Sequence, residues 1–304
     1  MKRIVSISLG SSSRDHRAEV EFLGEAVVVE RIGTNGSLTK AIELIKKLDG
    51  EVAAFGMGGI DRYLFAGKKR YTIRDAARIA QAAVKSPILD GSGLKNTLER
   101  SVVRFLGADL GIDLPGKRVL MVSGVDRFGM AEAFDAAGCQ MIFGDLIFAL
   151  GVPVPIRTLK GLQRIAGLAL PVFTQLPFTM LYPTGSKQEQ SSPKYGSYFQ
   201  AADIIAGDFL YIRKYMPLDL TGKTIVTNTV TTADVAELQR RNALMLVTST
   251  PEFAGRSFGT NVMEALLVSF SGKPPSELTE ADYLSLLERL RFEPRVVRLA
   301  EQPR

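Results

Sequence analysis

The sequence predicts an α/β fold, a Rossmann-like parallel-sheet domain preceded by a smaller N-terminal α/β lobe. Three observations predict it. Short apolar runs rich in Val and Ile alternate with segments of helical periodicity along the chain. Residues 117–145, KRVLMVSGVDRFGMAEAFDAAGCQMIFGD, read as strand, glycine turn, helix, second strand and closing carboxylate. And 304 residues are too many for one ordinary core and suit two domains of about 100 to 200 residues each. The expected division is an N-terminal substrate lobe over 1–106, a dinucleotide-binding domain over 107–272, and a C-terminal helix and tail over 273–304 that pack back on the first lobe.

In order, residues 2–9 alternate as a strand. The small polar loop after it, Gly10 to His16, offers Ser11, Ser12 and Arg14 as hydrogen-bond partners for a carboxylate or hydroxyl; an ordinary turn is the equal alternative. A strand follows at 27–32, then a helix capped by Ser37 and running to about Leu48, then a strand at 52–55. The stretch Gly56 to Arg62, which includes Asp61, is a glycine-rich turn whose backbone could approach a ligand closely; a tight turn without a ligand is the equal alternative. A short strand at 71–73, a helix over 74–84 and a strand at 87–89 lead to Asp90-Gly-Ser-Gly-Leu-Lys95-Asn96-Thr97. A helix over 97–106, with Leu98, Val102, Phe105 and Leu106 as its apolar stripe, links the two lobes. Asp90, Lys95, Asn96 and Thr97 gather at its amino end, where Asn96 and Thr97 serve either a ligand or the helix cap.

In the central unit, 119–122 is a buried strand, a helix begins near Arg127, and Gly138 ends it before a strand at 141–143. A dinucleotide fingerprint places three glycines in that turn. Here the pattern is Gly124-Val-Asp126-Arg127-Phe-Gly129, with an aspartate in the middle place. Asp145 stands where an acid accepts the ribose hydroxyls of NAD. The reading that competes is a Rossmann-like layer without dinucleotide, in which Asp145 caps a strand end. Further on, helices are expected over 159–169, 196–202, 233–241, 261–270 and 280–290, and strands at 172–173, 203–206, 224–227 and 244–247. Residues 182–195 are expected to be a polar loop or flap.

Composition narrows the function classes. Apolar content of 46%, charge of 23% and 28 glycines describe a globular α/β protein. No apolar run is long enough for a membrane span. A single cysteine, Cys139, excludes an intrachain disulfide and reads as a packing residue; the cytoplasm is the expected compartment. The net charge of +6 is spread out, its densest cluster being Lys68-Lys69-Arg70, and no nucleic-acid motif accompanies it. The expected partner is therefore a small molecule, with neither nucleic acid nor membrane, and a homodimer is left open. His16 is the only histidine, which makes a zinc site of usual composition improbable.

The order of Asn96-Thr97 on a linker helix, the turn at Gly124, a late strand, and Phe258-Gly259-Thr-Asn-Val-Met263 opening a closing helix resembles the shikimate and quinate 5-dehydrogenase family. The resemblance implies an NAD- or NADP-dependent oxidoreductase acting on a small hydroxylated acid. It implies Asn96 and Thr97 as substrate partners, and Gly124, Asp126, Arg127, Gly129 and Asp145 at the cofactor. Leu98 stands where that family has its catalytic aspartate, so the proton-transfer group would be Lys95, with Asp90 or Asp61 beside it. The competing expectations are a Rossmann-like binding or regulatory protein without redox chemistry, which Asp126 and Leu98 favour, and a transferase or lyase using the two glycine turns for a phosphorylated substrate.

Overall fold

The apolar runs become the interior strands of two sheets, each mostly parallel, in a computed structural model of the chain. The structure describes residues 1–67, 69–181, 192, 194–228, 230–250, 252–253, 256–257, 259–290 and 292–300. In the first lobe, β1 (Lys2–Ser8), β2 (His16–Phe22), β3 (Glu25–Gly33), α1 (Leu38–Leu48), β4 (Ala54–Gly58), the ribbon β5 (Tyr63–Ala66) and β6 (Lys69–Thr72), α2 (Arg74–Ala80) and β7 (Ile88–Leu89) follow in order. The sheet runs β2-β3-β1-β4-β7 and is parallel except for β2. Ile4, Val5 and Ile7 of the central β1 are buried on both faces, as a strand covered on each side requires. At α1 the Ser37 side chain accepts from the Lys40 amide, which is the cap its position predicts.

α3 (Ser92–Ala108) crosses between the lobes. The second lobe then lays down β8 (Arg118–Met121), α4 (Phe128–Ala136), β9 (Gln140–Phe143), α5 (Leu159–Phe173), α6 (Phe178–Leu181), α7 (Gly196–Ala201), β10 (Ile204–Ala206), α8 (Phe209–Tyr215), β11 (Thr224–Thr227), α9 (Thr232–Arg240) and β12 (Met245–Thr248). A small ribbon, β13 (Glu252–Phe253) and β14 (Arg256–Ser257), precedes α10 (Thr260–Ser271), α11 (Glu280–Arg289) and β15 (Arg295–Arg298). The second sheet runs β15-β12-β11-β10-β8-β9, parallel except for β15. The fold is thus α/β with parallel sheets in two lobes, as the alternating pattern predicts.

Several boundaries differ from expectation, each for a physical reason. β2 escapes the sequence reading because it is an edge strand of alternating charge: Arg17, Glu19 and Glu21 face outward while Ala18 and Phe22 are buried. Gly56 and Gly58 lie inside β4 rather than in a turn. A Cβ on Gly56 would meet Asn261, and one on Gly58 would meet Ser8, so the glycines admit close neighbours. α3 begins five residues earlier than expected, after Gly91 in the left-handed conformation (φ 91°). Val172 and Phe173 belong to α5 and not to a strand. α10 packs on β1, β4 and β7, and α11 on α3, whereas β15 pairs with β12. The boundary placed at 272 is therefore corrected: α10 is part of the first lobe, and the tail returns to the second. Residues 182–191 and 193 of the expected flap, Lys68 of the basic cluster and Phe258 lie outside the described residues.

Among the described residues no helix is long and apolar enough to cross a membrane. Cys139 is buried, donates to the Leu114 carbonyl (3.3 Å), and has its thiol pushed up to about 11 by burial.

Candidate functional site

In a parallel sheet, the carboxyl ends of two strands whose connections leave in opposite directions open a crevice. The first lobe has such a point between β1 and β4, the second between β8 and β10. Both contribute to a cleft of about 660 Å³, within the range of small-molecule sites. Ser8, Gly59 and Asp61 line it from the first lobe, Lys95 from α3, and Ser123, Asp126, Arg127 and Asp208 from the second. Phe148, Phe173, Tyr211 and Tyr215 give it aromatic surface.

Its centre is a chain of charges. The Lys95 ammonium donates to Asp126 Oδ1 (2.7 Å) and Asp61 Oδ1 (3.1 Å), joining the two lobes. Arg127 donates through Nη1 to Glu99 Oε1 (2.6 Å) and through Nη2 to Asp208 Oδ2 (3.3 Å), and its Nε lies 3.2 Å from Asp126 Oδ2 without aligning for a hydrogen bond. Lys95 and Glu99 are one helical turn apart, so α3 presents both toward the second lobe.

Burial alone would strip the charge from Lys95, but the Asp126 and Asp61 carboxylates outweigh it and hold the ammonium above its usual range. Arg127 is likewise desolvated and stays charged through Glu99 and Asp126. Burial opposes ionisation of Asp126; Lys95 and Arg127 overcome that and keep it ionised well below the usual carboxylate range. Asp61 goes the other way, pushed up to about 8 by burial and then by the charge of Asp126. It keeps 20% of its side-chain surface open to the cleft, so water moderates that rise. Burial also raises Glu99, and it raises Tyr211 with help from Asp208.

The turn at Gly124 is closed by the protein itself. Asp145 Oδ2 accepts from the Gly124 amide (3.1 Å) and Oδ1 from the Val125 amide (2.9 Å). Burial pushes the Asp145 carboxyl up to about 6 against the pull of those two amides. It caps the turn and does not reach out toward a ribose. Asp126 and Arg127, expected beside a pyrophosphate, are engaged by Lys95 and by Glu99. Gly129 serves packing, for a Cβ there would meet Asn96 of α3.

The other expected site residues divide similarly. Lys95 and Asp61 meet in the cleft, but Lys95 is held charged, the reverse of what a lysine base needs. Asp90 borders the cleft while its carboxylate accepts from the Arg62 and Tyr63 amides and from Ser92, pinning the Asp61 loop to the start of α3. Asn96 packs on α4 and Thr97 is 2% exposed, so the helix that was to present them to a ligand presents Lys95 and Glu99 instead. Ser11 and Ser12 are tied into their own loop by Ser13 and Asn35, on the exposed surface. Arg14 does border the cleft, with Arg31 and Lys214. Leu98 is fully buried with Leu94, Val262 and Met263 in the first-lobe core. Glu99, Asp208 and Tyr211 were missed. A glutamate four residues after Lys95 is the one signal that would have found the first.

Among the described residues no group of three or more His, Cys, Asp or Glu side chains is placed to hold a metal ion. Two family models match the sequence, a domain of unknown function, DUF8754, over residues 93–299 and another, DUF8753, over residues 3–90. The chain belongs to the DUF8754 family. No curated protein matches it. Solved structures that align along nearly the whole DUF8754 chain do so with TM-scores below 0.5. A galactofuranose binding protein is 12% identical over 96% of this chain and 99% of its own, with a TM-score of 0.38. A 5-methylthioribose transporter solute binding protein from Thermotoga lettingae is 10% identical over 98% and 85%, at 0.42. An NAD-dependent malic enzyme from Thermotoga maritima is 11% identical over 95% and 84%, at 0.35.

The expected membership of the shikimate and quinate 5-dehydrogenases is corrected by these findings. The matching models are DUF8753 and DUF8754, and the amides that were to hold a pyrophosphate hold Asp145. The assignment as an NAD(P)-dependent oxidoreductase goes with it.

Proposed function

We propose that this chain binds a small, uncharged, polyhydroxylated compound between its two lobes, without redox chemistry. One observation carries the reading: the deep cations of the cleft, Lys95 and Arg127, are already matched by carboxylates, and Asp145 already occupies the turn amides. An anionic ligand therefore meets Asp61, Asp126 and Asp208 where it needs donors. A ligand rich in hydroxyls finds acceptors in those carboxylates and aromatic surface for its C–H faces in Tyr211 and Tyr215. The same proposal puts the protein in the cytoplasm, a reading that its single free cysteine supports.

Titration calorimetry against a panel of pentoses, hexoses, polyols, small hydroxy acids and NADH tests it. Saturable heat with a neutral polyol or sugar and none with NADH is expected. Saturable NADH binding, or preference for a hydroxy acid over its neutral counterpart, would overturn it.

A further inference from the structure

The cleft holds more charge chemistry than binding a neutral ligand requires. Asp61 comes from the first lobe and Asp126 from the second, and both touch one ammonium, that of Lys95, at 3.1 and 2.7 Å. Charged groups that face Asp61 include Lys95 on α3, Asp126 in the turn before α4, and Asp90 at the end of β7. Arg127 stands behind Asp126. The charge of Asp126 raises Asp61, and the lysine keeps its charge in the same place.

Moving a proton between adjacent carbons of a hydroxy carbonyl compound needs a base beside the carbon and a cationic proton donor beside the oxygens. Asp61 and Lys95 are such a pair, and both border the cleft. We propose that the cleft is a catalytic site in which Asp61 is the base and Lys95 the electrophile for isomerising an α-hydroxy carbonyl compound of the aldose or ketose class. The proposal rests on the binding of a polyhydroxylated ligand there.

The step balances without a co-reactant. The Asp61 carboxylate takes the proton from the hydroxyl-bearing carbon, and the C–H electron pair becomes the C=C bond of an enediol. The carbonyl π pair moves onto its oxygen, which receives a proton from Lys95. The neighbouring hydroxyl then returns a proton to Lys95 as its oxygen becomes the new carbonyl, and Asp61 delivers its proton to the former carbonyl carbon. Asp126 is a positioning residue: its charge keeps Lys95 protonated and makes Asp61 a stronger base than a free carboxylate. The ionised base is required, so the rate rises with pH and levels off once Asp61, held above the usual carboxylate range by burial and by Asp126, has lost its proton.

The test is exchange in D2O. The full-length protein is incubated with each aldose and ketose that calorimetry shows to bind, and proton NMR follows deuterium entering the carbon next to the carbonyl. Expected are exchange above the protein-free rate, a 10²- to 10⁴-fold loss in Asp61→Asn, and a midpoint of the pH profile shifted to lower pH in Asp126→Asn. Binding without exchange by the wild-type protein overturns the catalytic proposal and leaves the binding reading standing. Exchange by Asp61→Asn at the wild-type rate, or an unmoved profile in Asp126→Asn, overturns the assigned roles. Absence of binding across the panel removes the binding reading and this one with it.

Discussion

Replacing Arg127 by methionine isolates the interaction on which the cleft depends. Arg127 is 4% exposed and its partner Glu99 1%. One Glu99 oxygen receives the guanidinium, and the other is buried without a hydrogen-bond partner among the described residues. Arg127→Met leaves that carboxylate without its hydrogen-bonded partner, and with only the Lys95 charge to offset its burial. Breaking a buried pair from one side costs about 3–5 kcal/mol, whereas replacing both partners by apolar groups of similar volume is often close to neutral. Urea unfolding of the wild type, Arg127→Met, Glu99→Leu and the double variant, followed by far-UV circular dichroism at pH 8, is the assay. The double variant is expected to recover most of what Arg127→Met loses. Burial already raises the folded-state pKa of Glu99, and removing Arg127 raises it further, so the loss shrinks as pH falls and Glu99 takes up a proton. A loss below about 1 kcal/mol in Arg127→Met, or a double variant no more stable than the single, would refute the claim that this pair joins α3 to the second lobe.

Three further outcomes follow from the same structure. Glu264 is 3% exposed and accepts from Tyr283 (2.7 Å) and from the Gly91 amide (2.8 Å); burial and then Asp90 push it up to about 7 from 4.5. Its folded value lies above the unfolded one, so its contribution is full below about pH 4.5 and is lost as pH rises through 7; Glu264→Gln should flatten the decline of the urea midpoint across that window, by on the order of 3 kcal/mol at most. Gly129→Ala places a Cβ 2.8 Å from Asn96 Oδ1 and 2.9 Å from its Cα, and should lower stability by about 1–3 kcal/mol in a thermal melt, while an unchanged melting temperature would mean that α3 and α4 can separate freely. Leu98→Asp puts a carboxylate into a fully buried position and should leave the protein insoluble or unfolded by circular dichroism; a folded variant would show that the core around α10 tolerates charge.

Much of the helix–strand order was legible because burial on both faces demands runs such as Ile4–Val5 and Val119–Val122, whereas the short helices α6 and α8 were not read. The site was legible only in part. Asp61 and Lys95 stood out as chemistry-bearing residues beside glycines, but their meeting spans both lobes, and no local pattern announces it. Gly124, Asp126 and Asp145 were readable as a turn and an acid at suggestive spacing. Spacing does not say which way a carboxylate points, and Asp145 points inward onto two amides. β2 and β15 were missed since edge strands need only one apolar face.

By itself the sequence determined the α/β class, the two lobes, the capped start of α1 and the burial of Cys139, all consequences of periodicity and local hydrogen bonding. Only the tertiary structure decided that α10 belongs to the first lobe, that Leu98 is core, and that Lys95 and Arg127 are paired with carboxylates distant in the chain. Charge pairing depends on which groups distant in the chain are brought together out of water, and that is fixed by packing rather than by neighbours in sequence.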